Sequence, residues 1–371
     1  QEQIREIVEY AKERFIEVIP EIEMPGHALA ALASYPELSC AGGPFEVLQK
    51  WGVSDDVYCA GNDSVFAFLH DVIEEVCELF PYDYIHIGGD ECPKVRWEEC
   101  KKCQKRMKDH ELANEHELQS WFIAEMEKYI NSKGKTLIGW SEIMEGGIAP
   151  NAVLQSWQGV EAGIEAAKQH HKVIMSPSQY LYFDGINVDR KYALMEPIGQ
   201  KYCWTNIEKT YSFEPTPDTI PVEFQKYFIG AEATMWSEFI STDSHLEYML
   251  LPRLSALSEI CWTKKELKDF QNFSTRLNEQ YLRYDQMEVN YRIPHPQIAD
   301  TIYASVGDTI FIKNPSNVTE VRYTIDGNDP SEESQLYGSG LIIESEMVLK
   351  SRCYINDGRG SSIFTSMIFI K

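Results

Sequence analysis

The length, composition and charge of this sequence exclude several classes of protein. Its 371 residues are 43% hydrophobic and 25% charged, which is typical of a folded globular protein with room for one large and one small domain. The formal net charge of −24 argues against a nucleic-acid partner, because phosphate binding needs clustered Lys and Arg. No stretch reaches the roughly 18 apolar residues of a membrane span, so we predict none.

The first predicted element is an amphipathic helix over residues 1–15. Its apolar residues, beginning with Ile4, recur at helical spacing, but no helix-capping residue precedes them. We therefore expect that the natural N-terminus and any export signal lie upstream. The expected location is the periplasm, the cell surface or the outside of the cell, and the sequence predicts no oligomeric state.

From residue 1 to about residue 291, apolar runs alternate with amphipathic helices, which is typical of parallel β/α units. The clearest helices are predicted at 64–80 and 115–132, the second ending before Gly134. The predicted strands are 15–22, 84–87, 136–140, 152–157, 172–175 and 228–235.

Each of these strands ends in polar or aromatic residues. In a (β/α)8 barrel the active site is built where the strands end, so the pattern predicts a TIM-type barrel over residues 1–293. Eight strands are needed and six are found. We therefore expect the barrel to be incomplete at the N-terminus, with its first two strands upstream of this chain.

After Pro294 and Pro296 the pattern changes to short alternating runs separated by turn sequences. Strands are predicted at 309–313, 320–325, 346–355 and 363–370. The sequence therefore predicts a small all-β sandwich with antiparallel strands over residues 297–371. Both a sugar-binding role and a role as a spacer or packing partner remain open for it.

Two adjacent acids, Asp90 and Glu91, follow the glycine pair Gly88-Gly89 directly after a predicted strand. Neighbouring residues of a strand point to opposite faces, so both acids serve one pocket only if the glycines have already ended the strand. Two carboxylates held close together cannot both ionise easily, so one can remain an acid near neutral pH. A solvated acidic loop is the alternative for an isolated Asp-Glu pair.

The motif His-Ile-Gly-Gly-Asp-Glu at 86–91 resembles the signature of the family 20 glycoside hydrolases, the β-N-acetylhexosaminidases. Several other stretches, spread over about 260 residues, also resemble this family. They are Pro-Glu-Ile-Glu-Met-Pro-Gly-His-Ala at 20–28, Gly-Trp-Ser-Glu at 139–142, Tyr-Phe-Asp at 182–184, Gly-Ala-Glu-Ala-Thr-Met-Trp-Ser-Glu at 230–238 and Pro-Arg-Leu-Ser-Ala-Leu-Ser-Glu at 252–259.

The resemblance implies an exo-acting, retaining enzyme that removes terminal β-linked N-acetylglucosamine or N-acetylgalactosamine from glycans. Glu91 would be the general acid and then the base that activates water. The nucleophile would be the 2-acetamido oxygen of the substrate, and Asp90 would stabilise the oxazolinium intermediate, so the reaction is substrate-assisted. Tyr182 would hold the acetamide oxygen towards the anomeric carbon.

The resemblance also implies a set of substrate-binding residues. Trp140, Trp157 and Trp236 would wall the acetamide and stack on the apolar face of the sugar. Asp184 and Glu238 would accept hydrogen bonds from sugar hydroxyls. His27 would belong to the polar network beneath the acid, and we expect the family's sugar-binding Arg and a further acidic group upstream of this chain.

Two other functions remain open at this point. One is a non-catalytic or inactive sugar-binding fragment on the same scaffold, although binding alone does not require a proton donor. The other is metal-dependent hydrolysis with His86, Asp90 and Glu91, which is disfavoured because His86 lies inside the predicted strand. We predict neither a cofactor nor a metal.

The nine cysteines are many for a reduced compartment, but an odd number cannot pair completely within the chain. A disulfide between Cys40 and Cys59 is plausible in a polar loop. Cys100 and Cys103 have the spacing of zinc ligands, but the sequence reveals no second pair to complete four ligands. A disulfide or plain thiols are therefore favoured over a metal.

Overall fold

The computed structural model describes residues 1–371, which separate into two compact units. The first unit comprises Gln1–Ser178 and Pro215–Glu232, and the second comprises Gln179–Glu214 and Ala233–Lys371. The strands in chain order are β1 (Tyr84–His86), β2 (Thr136–Trp140), β3 (Val153–Ser156), β4 (Val173–Met175), β5 (Gly185–Ile186), β6 (Gln200–Trp204), β7 (Phe228–Ala231), β8 (Thr301–Ala304), β9 (Thr309–Ile310), β10 (Glu320–Thr324), β11 (Gln335–Leu336), β12 (Leu341–Ile342), β13 (Met347–Tyr354) and β14 (Phe364–Ile370).

The α-helices are distributed over both units. They are α1 (Glu2–Lys12), α2 (Leu29–Ser34), α3 (Asp63–Leu79), α4 (Val95–Glu99), α5 (Lys101–Asp109), α6 (Glu115–Ser132), α7 (Glu161–Lys168), α8 (Ser178–Leu181), α9 (Ile207–Ser212), α10 (Val222–Gln225), α11 (Asp243–Leu250), α12 (Arg253–Trp262) and α13 (Phe270–Gln286). Short 3-10 helices lie at Pro36–Leu38, Ser141–Met144, Arg190–Met195 and Lys265–Leu267. None of the helices has both the length and the apolar composition needed to cross a lipid bilayer.

The first unit is built on a five-stranded parallel sheet with the order β1-β2-β3-β4-β7. Its strands bury Ile85, Leu137 and Leu154 completely, as expected for a parallel sheet that is covered on both faces. Because the strands are parallel, their carboxyl ends lie along one edge of the sheet. That edge carries the polar and aromatic residues found in the sequence.

The two helices predicted most clearly are confirmed. The helix α6 has the predicted bounds, and Asn114 caps it by accepting hydrogen bonds from the N–H groups of His116 and Glu117. The helix α3 begins one residue earlier than predicted, where Asn62 accepts a hydrogen bond from the Ser64 N–H. Local capping chemistry therefore fixes the start of both helices.

The predicted strand at 15–22 is wrong at its start, although residues 20–22 do hydrogen-bond to β1 in the parallel direction. The chain leaves α1 through an exposed Phe15 with φ +58°, a left-handed conformation that a strand cannot contain. Only Glu21 forms an isolated parallel bridge, and its partner is His86. The other five predicted strands of this region are present, although β7 ends four residues before the predicted 235.

The second unit combines the helices α9 and α11–α13 with the C-terminal strands. These strands form a sheet with the order β11-β10-β13-β14-β8 and a two-stranded ladder of β12 and β9. The expectation of purely antiparallel strands is wrong, because β8 adds to the free edge of β14 in the parallel direction. The predicted boundary between residues 293 and 297 lies inside this unit and remains a prediction.

Candidate active site

The segment Gly88–Glu91, which we call the acidic turn, begins where β1 ends in the first unit. The Ile87 N–H still bonds the Ile138 carbonyl, and the Trp140 N–H bonds the Gly88 carbonyl at 2.9 Å. Gly88 then takes φ +64°, and a Cβ there would lie 1.7 Å from a carboxylate oxygen of Glu23. Only glycine permits both this conformation and this close approach.

An extended segment, residues 20–24, runs beside β1 and leads to His27. The N–H groups of Ile22 and Met24 bond the carbonyls of His86 and Ile87 at 2.9 and 3.0 Å. His27 then adopts φ +48°, and Glu91 in the acidic turn has φ +44°. Left-handed conformations are uncommon for residues other than glycine, and they concentrate at functional sites.

His27, Asp90 and Glu91 meet at the end of these two segments, and we call them the His27 cluster. The His27 Nε2 lies 3.4 Å from Asp90 Oδ2 and 3.4 Å from Glu91 Oε2. The side chain of Asp90 is 13% exposed, whereas that of Glu91 is 40% exposed. A buried oxygen of Asp90, Oδ1, has no hydrogen-bond partner in the protein.

The charged groups in and around this cluster shift one another's pKa values. Hydrogen bonds with Asp90 and Glu91 raise the pKa of His27 to about 10, so its imidazole is a cation at neutral pH. Burial, together with the charges of Asp90 and Glu21, raises the pKa of Glu23 to about 9. Glu23 is therefore uncharged at neutral pH and adds no further negative charge near Asp90.

Contacts that the sequence did not reveal hold the acidic turn in place. The side-chain amide of Gln119, on α6, donates to the Gly89 carbonyl at 2.7 Å. Lys94 in turn donates to the side chain of Gln119 and to the Cys92 carbonyl, so both sides of the turn are fixed. The only sequence signal for Gln119 is a polar residue on the mainly apolar buried face of a helix, which also carries Glu127.

Two of the predicted tryptophans lie at the carboxyl ends of neighbouring strands and are oriented by carboxylates. The Trp140 indole donates to Glu21 at 2.9 Å, and the Trp157 indole donates to Glu142 at 2.9 Å. Burial raises the pKa of Glu142 to about 7, although the hydrogen bond from Trp157 lowers it. Sequence reasoning assigned no role to Glu21 or Glu142, but each indole N–H required an acceptor.

The segment Tyr182–Asp184, which we call the Tyr-Phe-Asp segment, lies in the second unit. The Phe183 N–H donates to the Thr234 carbonyl at 2.9 Å. Asp184 is only 2% exposed and accepts a hydrogen bond from the Tyr202 hydroxyl at 3.0 Å. Burial raises the pKa of Asp184 to about 6, even though this hydrogen bond lowers it.

The buried guanidinium of Arg253 lies behind the Tyr-Phe-Asp segment. It donates to the carbonyls of Phe183 and Gly185 at 2.5 and 3.2 Å, and to that of Thr205 at 2.8 Å. Through these bonds the guanidinium holds the backbone in place instead of pairing with a carboxylate. Arg253 belongs to the motif at 252–259, but its role depends on contacts about 70 residues away in sequence.

The remaining predicted residues of the second unit, Trp236 and Glu238, follow Thr234, which bridges Tyr182. Trp236 is half-buried and Glu238 is exposed. The charge of Glu238 contributes to the raised pKa of Asp184, after the larger effect of burial. The individual roles of all the predicted site residues remain predictions.

The structure corrects the histidine of the metal hypothesis. His86 Nδ1 lies 3.0 Å from Glu21 and 3.0 Å from the Gly88 N–H, whereas His27 meets Asp90 and Glu91. The ligand atoms of the His27 cluster are close enough to share a metal ion. A metal would have to compete with a proton held at a pKa of about 10, because a ligating imidazole must be neutral.

The structure also corrects two expectations about cysteine. All nine are free thiols, so the Cys40–Cys59 disulfide that the sequence made plausible is not formed. Cys100 and Cys103 do have a second pair, because Cys40 and Cys59 lie beside them with all four sulfurs within 4.8 Å of one another. The 18 residues between Cys40 and Cys59 conceal this pair from a search for short spacings.

Comparison with protein families identifies both parts of the chain. Residues 1–265 match the model of the glycosyl hydrolase family 20 catalytic domain. Residues 310–368 match a model described as Fn3 associated. The first match covers well over half of the chain and includes every residue of the predicted site.

Among individual relatives, a beta-hexosaminidase of Porphyromonas gingivalis is 45% identical over 372 residues, covering 98% of this chain and 47% of the relative. A solved beta-N-acetylhexosaminidase of Bacteroides fragilis has a TM-score of 0.68 and 31% identity, covering 78% of this chain and 57% of that one. The GH20 exo beta-N-acetylglucosaminidase of Vibrio harveyi, solved with N-acetylglucosamine, has a TM-score of 0.71 and 32% identity, covering 79% and 46%. The chain thus spans about half the length of these relatives.

Proposed function

Because this chain belongs to glycosyl hydrolase family 20, we propose that it supplies the catalytic residues of an exo-acting β-N-acetylhexosaminidase. The proposed reaction removes terminal β-linked N-acetylglucosamine or N-acetylgalactosamine from glycans with retention of configuration. The observation that carries the proposal is the arrangement of two adjacent acids around one cation. One acid is buried with an unpartnered oxygen, and the other is exposed.

In the first step the acetamide carbonyl oxygen of the substrate attacks its own anomeric carbon. The glycosidic C–O bond breaks as Glu91 gives its proton to the departing oxygen. The exposed position of the Glu91 side chain suits this exchange with a leaving group and then with water. Tyr182 would donate a hydrogen bond to the acetamide oxygen and keep it aimed at the anomeric carbon.

Asp90 has a different role in this step. Positive charge develops on the acetamide nitrogen as the oxazolinium ring forms, and the buried Oδ1 of Asp90 is available to accept the N–H. Its other oxygen faces His27, which balances the carboxylate charge. In the second step Glu91 takes a proton from water, the water oxygen bonds the anomeric carbon, and the ring opens to restore the acetamide. Two inversions give net retention.

The sugar itself would be bound by aromatic and acidic side chains. We assign Trp140, Trp157 and Trp236 to the walls around the acetamide and the apolar sugar face. Asp184 and Glu238 are assigned to the sugar hydroxyls, which carboxylates bind through charge-assisted hydrogen bonds. The low exposure of Trp140 and its bond to Glu21 support a rigid wall.

Further strands would complete the architecture in the full-length protein. We propose that residues 1–293, with the five-stranded parallel sheet, form part of an eight-stranded barrel whose first two strands lie outside this range, followed by a separate all-β domain over 297–371. We also propose that the protein is exported, since polymeric glycans are found outside the cell. A structure and a localisation assay of the full-length protein test these two points.

Fluorination of the substrate's N-acyl group tests the nucleophile. We expect kcat/KM of the full-length protein on aryl N-acetyl-β-glucosaminides to fall steeply from the acetyl to the trifluoroacetyl compound, because fluorine withdraws electrons from the attacking oxygen. An enzyme with a carboxylate nucleophile would respond weakly, and that result would reject substrate assistance. Binding of N-acetylglucosamine without any turnover would reject the enzyme in favour of a sugar-binding protein.

A further inference from the structure

Four thiols converge at one point of the first unit, outside the His27 cluster. Cys40 follows the 3-10 helix Pro36–Leu38, and Cys59 lies in the loop before α3. Cys100 precedes α5, and Cys103 lies in its first turn. Cys59 and Cys103 are almost completely buried, and Cys40 and Cys100 are half-buried.

The spacing of the sulfurs matches a tetrahedral metal site. The Sγ distances are 3.7 Å for Cys40–Cys103, for Cys59–Cys100 and for Cys59–Cys103. Four sulfurs bound to one Zn²⁺ at about 2.3 Å lie about 3.8 Å apart at the corners of a tetrahedron. A disulfide would require about 2.05 Å, so the spacing fits a metal much better than a bond.

The backbone around the cluster is shaped to bring the two pairs together. The Cys59 N–H donates to the Leu38 carbonyl at 2.9 Å, and this bond joins the segment of Cys59 to the segment of Cys40. Gly61 packs directly on the start of α5, where a Cβ would lie 2.2 Å from the Lys102 carbonyl carbon. The Gly61 amide also hydrogen-bonds the Cys59 sulfur. A side chain at position 61 would therefore separate the pairs.

The local charge also suits a thiolate site. Four thiolates around one Zn²⁺ carry a net charge of −2, which neighbouring cations can balance. Five of the nine residues of α5 are Lys or Arg, although the whole chain has a formal charge of −24. Basic residues are thus abundant on the helix that contains Cys103 and begins directly after Cys100.

We infer that Cys40, Cys59, Cys100 and Cys103 bind one Zn²⁺ as four thiolates. All four positions are filled by protein, so the ion is structural and leaves no site for water or substrate. The loop it fastens also touches the candidate site: the Tyr58 N–H donates to the Pro25 carbonyl at 3.0 Å, two residues before His27. The Tyr58 carbonyl accepts the Trp97 indole N–H at 2.9 Å.

This arrangement gives the ion a role in holding the segments that follow His27 and Glu91 along the chain. Binding would release the thiol protons and cross-link two loops that no disulfide joins. The inference does not depend on the proposed glycosidase activity. The zinc site could be present if the enzyme assignment failed, and the enzyme assignment could hold if the zinc site were absent.

Metal analysis of the full-length protein, purified without metal-affinity chromatography, tests the inference. We expect the variants Cys100→Ser and Cys103→Ser each to contain about one zinc ion fewer per chain than the wild type. The matched control is Cys77→Ser, a half-buried thiol of α3 outside the cluster, which should retain all of the zinc. Unchanged zinc in both cluster variants would overturn the site, and iron in place of zinc would overturn the identity of the ion.

A second measurement uses only the wild type, in case the variants do not fold. A mercurial reagent should release zinc in proportion to thiols modified, and peptide mapping should find Cys40, Cys59, Cys100 and Cys103 protected until release. Detection of disulfides among these four in freshly purified, metal-free protein would reject the zinc site. Removal of the ion with a strong chelator should lower the Tm.

Discussion

The acidic turn of the first unit and the Tyr-Phe-Asp segment of the second hold aspartates in contrasting environments. Asp90 lies 3.4 Å from the cationic His27, so its negative charge is balanced in place. Asp184 is buried beside a neutral phenol, and burial raises its pKa to about 6. The same side chain therefore faces a cation in one segment, whereas burial favours its neutral form in the other.

The largest effect is expected from Glu91→Gln, which removes the proton donor of the acidic turn. The kcat of the full-length protein should fall by about 10²–10⁴-fold on a β-linked disaccharide, because general acid catalysis is worth that much. The loss should be smaller on a 4-nitrophenyl glycoside, whose leaving group needs less protonation. Steady-state kinetics on the two substrates check this.

The control is Glu98→Gln, an exposed glutamate of α4 near the acidic turn in sequence, which should keep normal kinetics. Equal losses on both substrates would indicate that Glu91 is not the acid. Near-normal turnover of the Glu91 variant would reject the assignment of Glu91 as the general acid.

The next effect is that of Asp90→Asn, which removes the carboxyl group that faces His27. We expect kcat to fall by about 10²–10³-fold, since the variant cannot stabilise a developing cation. The pKa of His27 should also fall from about 10 towards its ordinary 6.5, because Asp90 is the largest cause of its rise. NMR titration of His27 measures this second change, and Asp71→Asn on the exposed side of α3 is the control. An unchanged His27 titration would mean that the ion pair does not form.

A moderate effect is expected from Tyr182→Phe in the Tyr-Phe-Asp segment. Loss of one hydrogen bond to a developing charge costs about 1.5–3 kcal/mol, or roughly 10–100-fold in kcat. The neighbouring Tyr180→Phe should have little effect, because the Tyr180 ring packs against Phe213 in a tilted contact that does not involve the hydroxyl. If both variants behaved alike, the contribution of Tyr182 would be packing rather than a directed hydrogen bond.

The smallest effect is expected from Asp184→Asn and depends on pH. The wild-type KM should fall as pH rises through about 6, because only the carboxylate makes charge-assisted hydrogen bonds to sugar hydroxyls. The variant should show a KM that is less than about 10-fold higher above pH 6 and nearly constant between pH 5 and 7. A wild-type KM without this inflection would contradict the assignment of Asp184 to the sugar.

The same carboxyl should also affect stability. Its folded pKa, about 6, lies above the ordinary aspartate value of 3.8, so its stabilising contribution is complete below pH 3.8 and is lost as pH rises through about 6. The Asn variant should lack this part of the pH dependence of Tm. Tyr202→Phe should move the inflection to higher pH, since the phenol lowers the pKa of Asp184.

The sequence by itself determined most of the secondary-structure elements of the first unit and the residues that can take part in chemistry. Strand and helix periodicity located β1 to β4, β7, α3 and α6, because these features depend on neighbouring residues. The glycine pair identified the acidic turn for the same reason, since the need for a left-handed backbone is local. The start of the 15–22 prediction was wrong because its apolar residues gave no sign that the chain turns at Phe15.

Only the tertiary structure decided which residues act together. His27 and Asp90 are 63 residues apart, and Arg253 fixes a carbonyl 70 residues away. The raised pKa of Glu23 depends on burial and on charges brought close by folding. The thiol cluster is the clearest case, because Cys100 and Cys103 were visible as a pair while Cys40 and Cys59 were not. Periodicity and spacing record neighbours along the chain, whereas charge, burial and metal geometry depend on neighbours in space.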